Sequence, residues 1–364
     1  MTDKPVSRRT VLAGGAGLAA SFAGCISTSK TPPGSGGADT SGGGGGGGGG
    51  TTDLLKAGGS STVYPIANTA ASYWNSNPPA SDEEYWGPSQ YGIDTQKALA
   101  DYWAGLYGFE SGDGGTAPYN VTVGLSHSGT GMEKLLKGQV DIGNSSAPVS
   151  AEMPDLSEEE LSKYTDHVVG VDAQPIVVSQ EVYNAGVTGI TAETLKAIYK
   201  GDITDWKDVP GYEGESKSIQ VVGRAEGSGT DTAFRLNLYG NANEPIPGVD
   251  LRKGQNQQVK TVVANSTNAI AYMALAFVTE QTPAISLTFD GKKFVPGKNL
   301  ADKDYPLSRD LHMYTYEGTS KQEAAYLRMI ISDFGQENFV KTSGYAALTD
   351  ERQKNQLSKL PSTQ

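Results

Sequence analysis

The sequence predicts an α/β fold, and three observations support it. From Leu54 onward, short apolar runs alternate with longer amphipathic segments. With 364 residues the chain is long enough for two ordinary domains or one large one. Three segments far apart in the chain also carry hydroxyl residues and glycines where a strand would hand over to a helix: Gly58–Pro65, Ser126–Gly131 and Arg224–Thr230.

The chain starts with an export signature. Ser7-Arg8-Arg9-Thr10-Val11-Leu12 has twin-arginine form. The apolar stretch 11–24 that follows is shorter than the roughly 20 residues a membrane span needs, so it reads as a signal core. The stretch ends in Phe22-Ala23-Gly24-Cys25, which resembles a prokaryotic lipobox, with Cys25 as the lipidated residue and new N-terminus. Residues 1–24 are thus expected to be a lipoprotein signal. Residues 25–52, which include nine consecutive glycines, hold too little apolar surface to offset ordering entropy and read as a flexible tether. Cys25 is the chain's single cysteine, so no internal disulfide framework and no cysteine-based zinc site is available.

Lys and Arg total 29 against 41 Asp and Glu, a net charge of −12, and loss of residues 1–24 would take it to −14. No basic footprint for nucleic acid is present. The acidity fits either a high-salt surface or an ordinary exported protein.

In the folded part, strands are expected at 54–57, 121–125, 140–142, 167–171, 174–179, 219–222 and 308–316. Helices are expected at 65–74, 130–137, 157–163, 192–200, 231–239, 254–264, 269–274 and 321–335. Thr191 is placed to cap the helix at 192–200, and Gly201 to close it with a left-handed residue. Residues 75–118 are rich in Tyr, Trp, Gly, Pro and acids and break the alternation, so they read as an insertion packed on the surface of the first lobe.

The chemistry centres on the three hydroxyl-rich segments. The start of a helix leaves amide hydrogens unpaired and carries partial positive charge, which suits an oxyanion. In the first segment, Ser61 or Thr62 can cap the helix that Pro65 opens, with the amides of Thr62 and Val63 facing a common point. In the second, Ser128 precedes Gly129-Thr130-Gly131, and the chain then runs through Val140-Asp141-Ile142-Gly143 to Ser146. In the third, Arg224 offers a planar donor fork ahead of Ser228-Gly229-Thr230, and Glu226 is placed to hold that fork through an ion pair. A Walker loop and a Gly-x-Ser-x-Gly elbow are both missing, and His127, His167 and His312 lack metal-ligand spacing. No cofactor, metal or catalytic residue is therefore expected.

These motifs, in this order, resemble the phosphate-binding lipoproteins of ATP-driven phosphate importers. The likeness extends through Leu195–Trp206, Asn268–Tyr272 and Tyr305–Arg309. It implies a two-lobed, periplasmic-binding-protein-like (type II) fold with mixed sheets and a central cleft. The first lobe would comprise 53–148 and 277–364, and the second 149–276. Carried over by position, phosphate would be held by Ser61, Thr62, Val63, Ser128, Ser146, Arg224, Ser228, Gly229 and Thr230, with Glu226 orienting the arginine. The resemblance implies a non-enzymatic, monomeric solute-binding protein, exported and lipid-anchored on the outer face of the cytoplasmic membrane. Its partners would be inorganic phosphate and the permease subunits of an ABC transporter. Some family members have an Asp where this chain has Ser146, and that carboxylate can accept the proton phosphate carries and sulfate lacks. With Ser146, discrimination falls to Glu226 or a backbone carbonyl, and sulfate or molybdate stays open as the ligand. The remaining alternatives are an exported phosphatase and a sensory or adhesive lipoprotein working through 75–118.

Overall fold

The computed structural model describes residues 54–300 and 304–364. The twin-arginine segment, the apolar stretch, Cys25 and the glycine tether all lie outside the described residues. The described residues form one compact unit, built on two sheets.

The first part of the chain runs β1 (Leu54–Ser60), α1 (Tyr64–Ser76), α2 (Leu99–Gly105), β2 (Asn120–Ser126), α3 (Ser128–Leu136), β3 (Ile142–Ser145), α4 (Val149–Glu152), α5 (Glu158–Leu161) and β4 (Tyr164–Ala173). It then crosses to β5 (Ile176–Val178), α6 (Gln180–Asn184), β6 (Gly189–Thr191), α7 (Ala192–Lys200), β7 (Gln220–Arg224), α8 (Gly229–Tyr239), β8 (Leu251–Lys253), α9 (Asn256–Ala264), β9 (Ala269–Tyr272), β10 (Ala284–Phe289) and β11 (Lys292–Phe294). The return consists of β12 (Ser308–Tyr316), α10 (Lys321–Ile331), α11 (Asp333–Gly335) and α12 (Asp350–Leu357). The expected cap and closing glycine both occur on α7: the Thr191 hydroxyl accepts from the Thr194 amide, and Gly201 has φ 84°.

The first sheet has strand order β2-β1-β3-β12-β4, and the second β11-β10-β5-β9-β7-β8, with β6 paired to β10. In the first sheet β1 is parallel to both β2 and β3, so Ser60 and Ser126 end side by side and Gly59 lies opposite Asn144. In the second, β7 is parallel to β8 and β9, bringing Arg224 beside Lys253. Both sheets therefore present the carboxyl ends of parallel strands, the place where open α/β sheets bind ligands.

Sheet membership moves the expected lobe boundaries. β4 pairs with β12 in the first sheet, although 149–276 was expected to be the second lobe, and β10 pairs with β5 in the second sheet, although 277–364 was expected to be the first. The crossings lie at 173–176 and 305–308, where Ser308 pairs with Ala173 and the Gln174 amide donates to Leu307 O at 2.9 Å. The segment around Ala274–Phe277 packs on the first core without staying there. The expected helix at 269–274 is instead strand β9, fully buried between β5 and β7. Pairing on both edges and burial on both faces override the alanine-rich composition.

Residues 75–118 do pack on the first lobe, and they also extend its core. Trp86, Leu99, Trp103 and Tyr107 are buried together with Trp74, Phe334 and Phe339. Trp86 meets Phe334 edge-on at 5.0 Å between ring centres. In the second lobe Phe234 stacks on Tyr272 at 3.8 Å, which fixes α8 against β9 directly behind the loop after β7.

Candidate functional site

The loops after β1, β3 and β7 and the starts of α3, α8 and α9 converge on one buried polar cluster. Ser61, Thr62, Ser128, Ser146, Arg224, Ser228 and Thr230 are each no more than 2 % exposed. Val63 and Gly229 are buried with them. Ser61, Thr62, Ser128, Ser146, Arg224, Gly229 and Thr230 are joined there by bonds or close approach, with Val63 and Ser228 buried next to them in the chain, although the nine span 170 positions of sequence.

Close packing of backbone makes this convergence possible. Gly59 has φ 134°, and a Cβ on it would lie 2.3 Å from Asn144 O, while one on Gly131 would lie 2.7 Å from Gly59 Cα. Side chains at these two positions would push α3 off β1. Gly229 is equally confined from the other lobe, since its Cβ would lie 2.3 Å from Ser128 Oγ and 2.6 Å from Ser146 Oγ. The Gly129 amide also donates to Gly227 O at 3.1 Å, joining α3 to the loop before α8.

The hydroxyls bond across the junction and do not cap their own helices. Val63 is the N-cap of α1 and has no side-chain bond there, which departs from the expected capping by Ser61 or Thr62. Ser61 Oγ instead accepts from Arg224 Nη2 and Asn256 Nδ2, both at 3.2 Å. Thr62 Oγ1 accepts from Asn256 Nδ2 at 3.1 Å and Arg309 Nη2 at 3.2 Å, and lies 3.1 Å from Thr230 Oγ1. Ser146 Oγ accepts from Ser60 Oγ at 3.1 Å, while the Ser146 amide donates to Ser128 Oγ at 3.2 Å. Ser228 caps α8 through its backbone, its carbonyl accepting from the Thr232 amide at 3.0 Å.

Arg224 is the last residue of β7, and its guanidinium reaches only neutral acceptors. Nη1 donates to Asn256 Oδ1 at 2.8 Å, Nη2 to Gly254 O at 2.7 Å and Nε to Lys253 O at 3.1 Å. Burial, helped by the nearby Arg309 charge, pulls its pKa down from 12.5 to about 9, so it stays cationic at neutral pH. Glu226 does not orient it, contrary to expectation. That residue lies exposed on the loop, and no hydrogen bond or ion pair among the described residues joins it to Arg224. Only Ala225 separates Arg224 from Glu226, and the turn at Glu226-Gly227 carries the carboxylate outward, so Asn256 with two carbonyls takes the orienting role.

Two further residues belong to the cluster. Asn256, the first residue of α9, holds Arg224 through Oδ1 and both first-loop hydroxyls through Nδ2. In sequence it is an ordinary polar residue at a helix start, and nothing distinguishes it from a cap. Arg309, the second residue of β12, donates to Thr230 Oγ1 at 3.1 Å and Gly229 O at 3.0 Å, and pairs with Asp172 at 2.7 Å. Its only sequence signal was its place in the Tyr305–Arg309 motif. Asp172 and Arg309 flank the crossing strands, so one ion pair secures the hinge and aims a second guanidinium at the cluster. Among the described residues, no group of three or more His, Cys, Asp or Glu is placed to hold a metal ion.

Comparison with known proteins agrees with this architecture. A family model described as the PBP superfamily domain matches residues 110–334. The phosphate-binding protein PstS of Bacillus subtilis (strain 168) is 30% identical over 231 residues, covering 64% of this chain and 72% of that protein. PstS of Staphylococcus aureus (strain USA300) is 25% identical over 251 residues, covering 66% and 73%. Among solved structures, an ABC-type phosphate transport receptor from Vibrio cholerae aligns with TM-score 0.53 at 24% identity, over 81% of this chain and all of that one. A substrate-binding protein assigned to phosphate ABC transport, from Clostridium perfringens and with bound phosphate, aligns with TM-score 0.59 at 21% identity, over 82% of this chain and all of that one. These two structures speak for the fold. The chain belongs to the PBP superfamily.

Proposed function

We propose that this PBP-superfamily protein captures inorganic phosphate between its lobes outside the cytoplasm and delivers it to the permease of an ABC importer. The PstS relatives are phosphate-binding proteins. The observation that carries the reading is Arg224, a buried guanidinium with no carboxylate partner among the described residues, bonded to the Ser61 hydroxyl of the first lobe and to Asn256 of the second. A buried charge without a counter-ion is expensive, and an anion lodged beside it would offset that cost.

The proposed contacts are Ser61, Thr62, Ser128, Ser146, Ser228 and Thr230 through hydroxyls, and Val63 and Gly229 through amides. Arg224 would supply a planar donor fork, and Arg309 would add positive field. The hydroxyls of Ser61, Thr62, Ser128, Ser146 and Thr230 now bond other hydroxyls, side-chain or backbone amides or guanidiniums, and each hydroxyl hydrogen can turn towards an oxyanion while its oxygen keeps accepting. Lobe separation would occur at the paired crossings 173–176 and 305–308, in hinge fashion. Export through the twin-arginine signal, lipidation at Cys25 and a monomeric state complete the proposal. No helix among the described residues is long and apolar enough to cross a membrane, so anchoring would rest on the lipid.

One observation favours a second ligand reading, another tetrahedral oxyanion such as sulfate. Ser146 is buried in the cluster, and its hydroxyl can donate to an unprotonated oxyanion, which an acceptor-only carboxylate there would reject. Parallel calorimetric titrations with phosphate and sulfate decide the matter. Phosphate binding with sulfate weaker by tenfold or more is expected, and sulfate binding without phosphate binding would overturn the assignment.

A further inference from the structure

Glu152 ends the short helix α4 in the first lobe and is set against α8 of the second. Both carboxylate oxygens are sealed from water and make no hydrogen bond of full geometry among the described residues, the nearby Thr232 hydroxyl and Gly129 amide donating instead to Ser228 O and Gly227 O. A Cβ on Gly129, the residue after the site's Ser128, would lie 3.3 Å from Glu152 Oε2. The side chain also borders a polar cavity of about 330 Å³ between the lobes, with Ala151 and Pro154 on one wall and Glu226, Thr232 and Arg235 on the other.

The groups facing Glu152 give an ionised carboxylate little support. On α8, Arg235 is committed to an ion pair with Asp231, and on β12, Arg309 is committed to Asp172. Asp231 and, on the loop before α8, Glu226 are acidic, and the Tyr314 phenol is neutral. The Thr232 hydroxyl and the Gly129 amide favour the charged form in part, but burial outweighs them and raises the pKa from 4.5 to about 7.

We infer that Glu152 is a proton-operated latch between the lobes, taken out of water as they meet and seated best as the neutral acid, so that phosphate capture carries a proton into the protein. This inference rests on the phosphate reading above. When the lobes separate, Glu152 faces water and returns to the ordinary carboxylate range. Its pKa is thus higher in the closed form than in the open one. Closure is fully favoured below the open-form value and loses that advantage as pH rises through the closed-form value near 7. Between pH 5 and 8 the latch alone would weaken capture by up to about 70-fold.

The test compares the full-length protein with Glu152→Gln, which keeps shape and removes the titration. Phosphate is titrated calorimetrically from pH 5 to 8 in buffers of differing ionisation enthalpy. The phosphate's own proton exchange is common to both proteins and cancels in the difference. At pH 6 the parent should take up about 0.9 more protons per phosphate than the variant, and its affinity should fall more steeply with pH. Equal proton counts and parallel pH profiles would overturn the latch. If neither protein gave heat with phosphate, the ligand assignment would fall, and the latch would still be read from X-ray scattering without ligand. There the parent's radius of gyration should grow between pH 5 and 8 while the variant's stays fixed. A constant parent radius would overturn the latch in that case as well.

Discussion

Replacing Arg224 by Met tests whether an uncompensated charge is what the fold keeps at its centre. The side chain is 1 % exposed and sits at the end of β7, so truncation is a core substitution. Two terms oppose each other. Lowering the guanidinium pKa from 12.5 to about 9 corresponds to roughly 5 kcal/mol of native-state destabilisation at pH 7, which the neutral side chain removes. Against this, Met gives up the charge-assisted side-chain bonds to Ser61, Lys253, Gly254 and Asn256, at about 1.5 kcal/mol each. The expected net change without phosphate is therefore below about 2 kcal/mol, small for a fully buried arginine. Phosphate at 1,000 times its dissociation constant should add about 4 kcal/mol to the parent. For a folded unit of roughly 310 residues that is a rise of about 6 °C in melting temperature. Thermal unfolding with and without phosphate reads both quantities. The variant should melt near the ligand-free parent and show no rise. A full phosphate shift in Arg224→Met would remove Arg224 from the site. A ligand-free loss above about 4 kcal/mol would refute the argument that the charge is uncompensated.

Three other outcomes follow from the same geometry. Asn256→Asp places a carboxylate beside Arg224 and should raise ligand-free stability while weakening phosphate at least 100-fold, read by unfolding and calorimetry; unchanged affinity would show that the fork is not used. Ser146→Asp should increase the preference for phosphate over sulfate by tenfold or more in paired titrations at pH 7, because the new carboxylate can accept only from a protonated anion; an equal effect on both anions would place position 146 outside the ligand shell. His167 is buried beside Thr319 and Thr315, and burial, with Lys359 nearby, lowers its pKa from 6.5 to about 4. The unfolded chain therefore binds a proton that the native chain refuses, so stability falls as pH drops from 6.5 towards 4, by about 2–3 kcal/mol. His167→Gln should flatten that acid limb relative to the parent in melting curves at pH 7 and 4.5; identical limbs would discharge His167.

What could be read in the sequence was local, and what could not was relational. α7 and β12 have the bounds that their capping residues and apolar patterns indicate, because each is delimited by signals within a few residues. The stretch that became β9 was read as a helix, since its identity is set by β5 and β7 on either side. The lobe boundaries erred for the same reason: β4 and β10 join sheets whose other strands lie more than a hundred residues away in places. Glu226 looked like the partner of Arg224 by proximity along the chain, whereas the actual partner, Asn256, is 32 residues on. The site's loops were legible because glycines and hydroxyls before helices have few other uses in combination. Which hydroxyl faces which guanidinium was not.

The hinge and the site divide two guanidiniums between them, and that division explains how a chain of net charge −12 can hold an anion. At 0.15 M salt, exposed acids more than about 8 Å away are largely screened, so the local inventory decides. Of the two guanidiniums in the cluster, Arg309 is neutralised by Asp172, which also accepts from the Leu275 amide at 2.9 Å and is thereby fixed to the hinge. Among the described residues Arg224 has no such counter-charge. The cluster therefore carries one unbalanced positive charge together with the positive ends of α3 and α8, each of which opens without a side-chain cap. Had Asp172 faced Arg224, the site would be electrically complete and an anion would gain little by entering. The pairing leaves the fixed guanidinium on the hinge satisfied and the ligand-facing one deficient, so capture and lobe closure draw on different charges. Substitutions at Asp172 should accordingly disturb closure and stability, and those at Arg224 binding alone.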